Sequence, residues 1–232
     1  MKIMIFTLLM FTIAAAQSRD PEAILNEVKN EFSKIEDYEV DVTIKIDINF
    51  LKVPESKAKI YFKQPDKVKL KSEGFALLPR EGLNFSPAKL LNDDYTAIYS
   101  KLDSIDGRYI DVIKVIPTSD SSDVVLTSLW VDSTEHVLRK IESTTKRSGT
   151  FTITLDYEDI TNLHLPSEVA FSFNVSDMQL PKSLTGDFDE QPVPKKEDGK
   201  QMKGTVTVTY SNYKVNQGLP DSIFEEEEEV KK

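Results

Sequence analysis

From Asp41 to Phe50 the chain alternates without a break: Val42, Ile44, Ile46, Ile48 and Phe50 are apolar, and Asp41, Thr43, Lys45, Asp47 and Asn49 are polar. A period of two puts one set on each face, so the spacing predicts a half-buried strand. The same alternation runs through 57–72, with Ala58, Ile60, Phe62, Val68 and Leu70 on one side and Lys57, Lys59, Lys63, Lys67, Lys69 and Lys71 on the other. Its phase changes at Gln64-Pro65-Asp66. Pro65 has no amide to donate and Asp66 suits a turn, so two antiparallel strands joined there are expected. Further strands are predicted at 96–102 and 109–116, joined near Asp106-Gly107, and at 124–131. A hairpin is expected from 137–144 and 150–157 through Arg147-Ser148-Gly149, with Phe151, Ile153, Leu155 and Tyr157 on one face and threonines on the other. Val169, Phe171, Phe173 and Val175 mark another strand, and 205–210 the last.

One stretch has helical spacing instead. Asp20-Pro21-Glu22 reads as a capping Asp, a first-turn Pro and an acid near the positive helix end, and Ile24, Leu25, Val28, Phe32 and Ile35 follow as a single apolar stripe. Two segments fit neither period. Residues 74–91 carry Phe75, Leu77, Leu78, Leu83, Phe85, Leu90 and Leu91 but are punctuated by Pro79, Gly82 and Pro87; Ser86-Pro87 is a start signal for a short helix to Leu91. Residues 176–203 form a long Pro- and Gly-containing insertion, and 225–232 an acidic tail opened by Glu225 to Glu229.

A chain of 232 residues, 39% hydrophobic, suits one globular domain, here 17–224. Residues 1–16 combine Lys2, an apolar run from Ile3 to Ile13 and Ala14-Ala15-Ala16, the order of a secretory signal peptide. The run is shorter than the about 20 residues of a spanning helix, so export and removal are expected. The formal charge of −10, with lysines spread along strands, offers nucleic acid no basic patch. The absence of Cys excludes disulfides, thiolate chemistry and a lipid-attachment site after the signal, and points to a soluble exported monomer.

Catalytic chemistry finds no support. His136 and His164 are the two histidines, both placed in turns, and neither a zinc-protease motif, a nucleophile elbow nor a glycine-rich phosphate loop is present. The carboxylates Asp93-Asp94, Asp120 and Asp123 read as solvated loop acids, and the sequon at Asn174 falls on a strand end. No cofactor, metal site or enzymatic activity is expected.

About ten antiparallel strands with one dry face must bury it against a second sheet, against helices, or by curling. A two-sheet sandwich is open, but with one long helix available a strongly curved partial barrel also satisfies the pattern. Its concave side would be covered by that helix and by 74–91, and could hold a hydrocarbon ligand. The candidate cavity wall is Val42, Ile44, Ile46, Ile48, Ile60, Phe62, Val68, Leu70, Phe151, Ile153, Leu155, Phe171 and Phe173. The candidate lid is Phe75, Leu77, Leu78, Leu83, Phe85, Leu90 and Leu91. The bland alternative is that these side chains simply fill a core.

Several stretches also resemble the LolA-like outer-membrane lipoprotein-sorting family: Tyr61-Phe62-Lys63-Gln64-Pro65-Asp66 between alternating strands, Leu129-Trp130-Val131-Asp132 followed by Val137-Leu138-Arg139-Lys140-Ile141, and the end from Asn212-Tyr213 through Leu219-Pro220-Asp221-Ser222-Ile223-Phe224. The resemblance implies an α+β fold, mainly antiparallel: an unclosed half β-barrel of about ten to eleven strands with an N-terminal helix and a helical or loop lid. It implies a soluble periplasmic carrier of acylated lipoproteins, an inner-membrane lipoprotein-releasing transporter as donor and an outer-membrane acceptor. The family's carriers have a basic-Arg-Pro turn whose Arg helps hold the lid. Here the gate turn is Lys63-Gln64-Pro65, and Gln64 lacks the charge for those contacts. An envelope sensor using the same fold to regulate a protein partner is the alternative function.

Overall fold

The computed structural model describes residues 19–48, 51–52, 54–72, 94–146, 149–158, 163–174 and 203–225. The signal-like residues 1–16, the candidate lid residues, Phe50, Val175 and most of the 176–203 insertion lie outside this set. Asp20 caps α1 (Pro21–Ser33), its carboxylate accepting from the Glu22 amide at 3.0 Å, and Pro21 takes the first turn. Leu25 and Val28 are buried from its apolar stripe. Among the described residues no helix is long and apolar enough to cross a membrane.

The strands are β1 (Asp37–Ile48), β2 (Leu51–Lys52), β3 (Ser56–Lys63), β4 (Lys67–Ser72), β5 (Tyr95–Ile105), β6 (Arg108–Pro117), β7 (Val124–Asp132), β8 (Val137–Thr145), β9 (Thr150–Asp156), β10 (Glu168–Asn174) and β11 (Lys203–Val215), followed by a 3₁₀ turn at Asp221–Ile223. They form one antiparallel sheet in the order β4-β3-β1-β11-β10-β9-β8-β7-β6-β5, with β2 paired to β1. β4 and β5 are its two edges and do not pair, so the barrel is open. β4, one edge, ends at Ser72, and β5, the other edge, begins at Tyr95. A single sheet removes the sandwich alternative.

Turn chemistry explains the hairpins. Asp106 and Gly107 both have positive φ, 49° and 78°, the geometry of a tight two-residue turn between twisted strands. Gln64-Pro65-Asp66 turns β3 into β4 through a cis Gln64–Pro65 bond. Three boundaries differ from the spacing. β1 starts at Asp37 rather than near Val42, because the buried Asp37 and a register shift between Glu39 and Asp41 interrupt the alternation. β11 runs to Val215, beyond a polar Ser211-Asn212 pair in which Asn212 has φ 56°, and it begins at Lys203, expected in the insertion. β2 has too few residues to show a period.

The C-terminal segment is bound to the start of the sheet. The Asp37 carboxylate accepts from the amides of Gln217, Gly218 and Leu219 at 2.9, 2.9 and 3.1 Å. The Asn216 side chain accepts from the Glu36 amide at 2.7 Å and donates to the Lys34 carbonyl at 2.9 Å. These bonds fix the junction of α1 and β1 beside β11, inside the sheet.

Candidate functional site

Strand register assembles the inner face. One row runs Ile46, Val206, Phe171 and Ile153 across β1, β11, β10 and β9, then Ile141, Leu129, Ile113 and Tyr99 across β8, β7, β6 and β5. The next row runs Ile48, Gly204, Phe173 and Phe151, then Ser143, Thr127, Val115 and Ala97. A side chain at every second position, repeated in register, turns separate alternations into one apolar surface spanning eight strands. Gly204 is required there: a Cβ would sit 2.7 Å from the Phe173 ring. Thr127 and Ser143, both buried, pair their hydroxyls at 3.0 Å, which removes the cost of two polar groups in an apolar wall.

The wall residues expected from the sequence are gathered on this face. Val42, Ile44, Ile46, Ile48, Ile60, Ile153, Leu155, Phe171 and Phe173 are buried in one cluster with Leu25 and Val28 of α1. Val68, Leu70 and Phe151 are half-buried against it. Phe62 belongs to a second cluster with Ile35 and Leu165, where its ring stacks on Tyr38 at 5.0 Å and meets Phe32 at 5.6 Å. The sequence reading left out the β5 to β8 half of the surface, Tyr99, Ile113, Val115, Leu129 and Ile141, and Val206 and Val208 of β11. Their signal was present in the strand alternation; the register that joins them to the other half was not.

Between α1, the ends of β8 to β11 and residues 163–166 lies a cavity of about 70 Å³. Ligand pockets for small molecules run to about 300–1,000 Å³, so this space takes roughly two waters rather than an acyl chain. Val28, Phe32, Ile35, Leu155 and Val169 are among its apolar lining residues, and four tyrosines, Tyr38, Tyr157, Tyr210 and Tyr213, also line it. Tyr157 donates to the Leu138 carbonyl at 2.9 Å and Tyr213 to the Pro166 carbonyl at 2.8 Å. Burial pushes all four phenols well above the usual tyrosine range.

A polar clasp closes the rim. His164 Nδ1 lies 3.2 Å from Glu31 of α1, and its Nε2 lies 2.8 Å from Glu135 in the β7–β8 turn. Burial alone would raise the Glu31 carboxyl, but hydrogen bonds from Lys34 and His164 outweigh it and hold the group below its ordinary value. His164 and His136 do sit in turns with positive φ, 48° and 55°, yet both line the cavity, and His164 ties the helix to two loops. In the gate turn, the Gln64 amide donates to the Glu36 carbonyl at 2.8 Å, while Lys63 donates to the Leu219 carbonyl at 2.7 Å. This turn therefore fastens the chain's C-terminal segment and the α1–β1 link.

No family model matches the chain, and no curated protein matches it in sequence. Solved structures do match. A DUF1329 family protein from Desulfovibrio piger superposes with a TM-score of 0.58 at 13% identity, covering 89% of this chain and 98% of that one. A domain assigned to outer membrane lipoprotein sorting from Vibrio parahaemolyticus gives 0.56 at 12%, covering 88% and 97%. A LolA superfamily protein from Nitrosomonas europaea gives 0.55 at 14%, covering 90% and 99%. The chain is thus similar over nearly its whole length to proteins with which it shares little sequence, and it has the LolA-like fold, an open antiparallel barrel with its N-terminal helix laid on the inner face.

Proposed function

We propose that the protein is a non-enzymatic, soluble periplasmic carrier that binds the acyl chains of lipoproteins, or of a related lipid, against the inner face of its sheet and takes them toward the outer membrane. The observation that carries this reading is the apolar row from Ile46 to Tyr99, covered among the described residues by one short helix. The signal-like residues 1–16 support export, and likeness in fold to a domain assigned to lipoprotein sorting supports the cargo class.

The helix and an acyl chain compete for one surface. Ile24, Leu25 and Val28 pack on that surface and Phe32 and Ile35 on the neighbouring cluster around Phe62, so at up to about 2 kcal/mol each, lifting the helix forfeits at most roughly 10 kcal/mol. An acyl chain of ~16 carbons gains on the order of 10 kcal/mol from the same burial, at about 0.8 kcal/mol per CH₂. The near balance suits a carrier, which must release what it binds. Loading therefore consists of α1 lifting as the chain enters, and the donor and acceptor are an inner-membrane transporter and an outer-membrane receptor for lipoproteins.

Depleting the protein in its source tests the role. A carrier leaves lipoproteins stranded in the inner membrane; intact sorting with an altered stress response would replace it with the sensor reading.

A further inference from the structure

Among the described residues, a row of six lysines lies on the outward side of the β3–β4 hairpin. Lys57, Lys59 and Lys63 of β3 share that face with Lys67, Lys69 and Lys71 of β4. Two cross-strand pairs are lysine on lysine, Lys59 with Lys71 and Lys63 with Lys67. Like charges placed directly opposite destabilise a sheet, and guarding the β4 edge against strand pairing does not require lysines on β3 as well. The concentration also runs against the chain's formal charge of −10.

Compensation is partial. Lys59 reaches Asp41 at 3.0 Å and Glu39 at 3.7 Å, and Lys63 and Lys67 share Asp221 at 2.6 and 3.1 Å. Among the described residues no carboxylate pairs with Lys57, Lys69 or Lys71. Lys69 donates to the Glu225 backbone carbonyl at 2.6 Å, and Lys71 lies over the Tyr61 ring at 5.6 Å. The 3₁₀ turn at Asp221–Ile223 thus brings the C-terminal segment onto this face, and Glu226, Glu227, Glu228 and Glu229 follow Glu225 in sequence.

We propose that the lysine face docks the protein on an anionic phospholipid bilayer, a docking that the negative charge of the run from Glu225 to Glu229 opposes. Lysines are hydrated point charges on flexible stems, suited to a diffuse layer of negative headgroups; a discrete anion is gripped by forked arginines, and none stands on this face. Tyr61, at the middle of the face, has the apolar ring and polar tip that favour a membrane interface. Because β4 is an edge strand, docking here turns one lip of the open sheet to the bilayer. The proposal does not require acyl binding: a protein with a permanently filled interior would dock the same way.

Co-sedimentation of the purified chain with vesicles of phosphatidylcholine alone, and of phosphatidylcholine with phosphatidylglycerol, tests it. Binding is expected only to the phosphatidylglycerol vesicles and should weaken as salt is raised. Lys57→Gln/Lys69→Gln/Lys71→Gln should lose roughly tenfold or more in affinity, while Lys114→Gln/Lys146→Gln, on the far side of the sheet, should not. Replacing Glu226 to Glu229 with Gln should raise affinity severalfold. The single variant Lys71→Gln, at an exposed position, carries the same test with a smaller loss if the triple variant fails to fold. Equal binding to both vesicles, a triple variant that is folded and binds like the parent, or no vesicle binding even after the tail is neutralised overturns the proposal. Retention on heparin without vesicle binding also overturns it, assigning the face to an acidic polymer. Acyl loading, read separately by mass spectrometry, can fail while lysine-dependent vesicle binding stands, and the reverse.

Discussion

At the scale of single residues, function and stability meet on the inner face. Gly204 leaves room for the Phe173 ring, so Gly204→Ala should cost about 1–3 kcal/mol in urea unfolding, and Phe173→Leu in the same chain should recover part of the loss. The four cavity tyrosines make a second prediction. Their neutral form is favoured by burial, so this contribution is complete below the ordinary tyrosine range and is lost as pH rises above about 10. Ultraviolet titration should show Tyr38, Tyr157, Tyr210 and Tyr213 ionising only together with unfolding; early ionisation in the folded protein would mean the cavity is wetter than its packing indicates. Asp37 is the third case. It accepts three amides while buried, so Asp37→Ala strands three donors and should cost about 3 kcal/mol, with the C-terminal segment losing amide protection first.

At the scale of elements, α1 is the described helix packed on the inner face, and the proposed function requires it to move. The Glu31–His164–Glu135 clasp ties it to the β9–β10 and β7–β8 connections. Cysteines placed at Glu31 and His164, in a chain with none of its own, can be bridged by a short bis-maleimide. The bridged protein should take up a fluorescent fatty acid at least about tenfold more slowly than the unbridged one; equal uptake would show that α1 does not need to move. The elements themselves were legible in the sequence wherever a period could run. Asp20-Pro21 and the stripe from Ile24 to Ile35 gave α1, and strict alternation gave β1, β3, β4 and β9. Length was lost where a polar residue is buried for a specific partner, as at Asp37, or where a positive-φ residue interrupts a strand, as at Asn212. Neither carries a periodic signal. His164 escaped the sequence reading for a related reason, since its two carboxylate partners, Glu31 and Glu135, are distant in the chain and meet only in the fold.

At the scale of the molecule, the open sheet is the organising fact. Alternation identified a dry face, but it could not say that Ile46 and Tyr99, on strands far apart in the sheet, lie in one continuous row; that follows from the register, including the β1–β11 pairing that joins an early strand to the last one inside the sheet. The cavity beneath α1 holds about 70 Å³, so on the proposed reading an acyl chain enters only if α1, the described element packed on the inner face, moves. Native mass spectrometry of the protein purified without detergent from its own envelope, and again after incubation with acylated peptide, tests this most directly. A non-covalent adduct with the mass of an acylated species, lost when Phe171 is changed to Asp in a chain that still folds, is the predicted result. A protein that remains free of acyl ligand under every loading condition would contradict it.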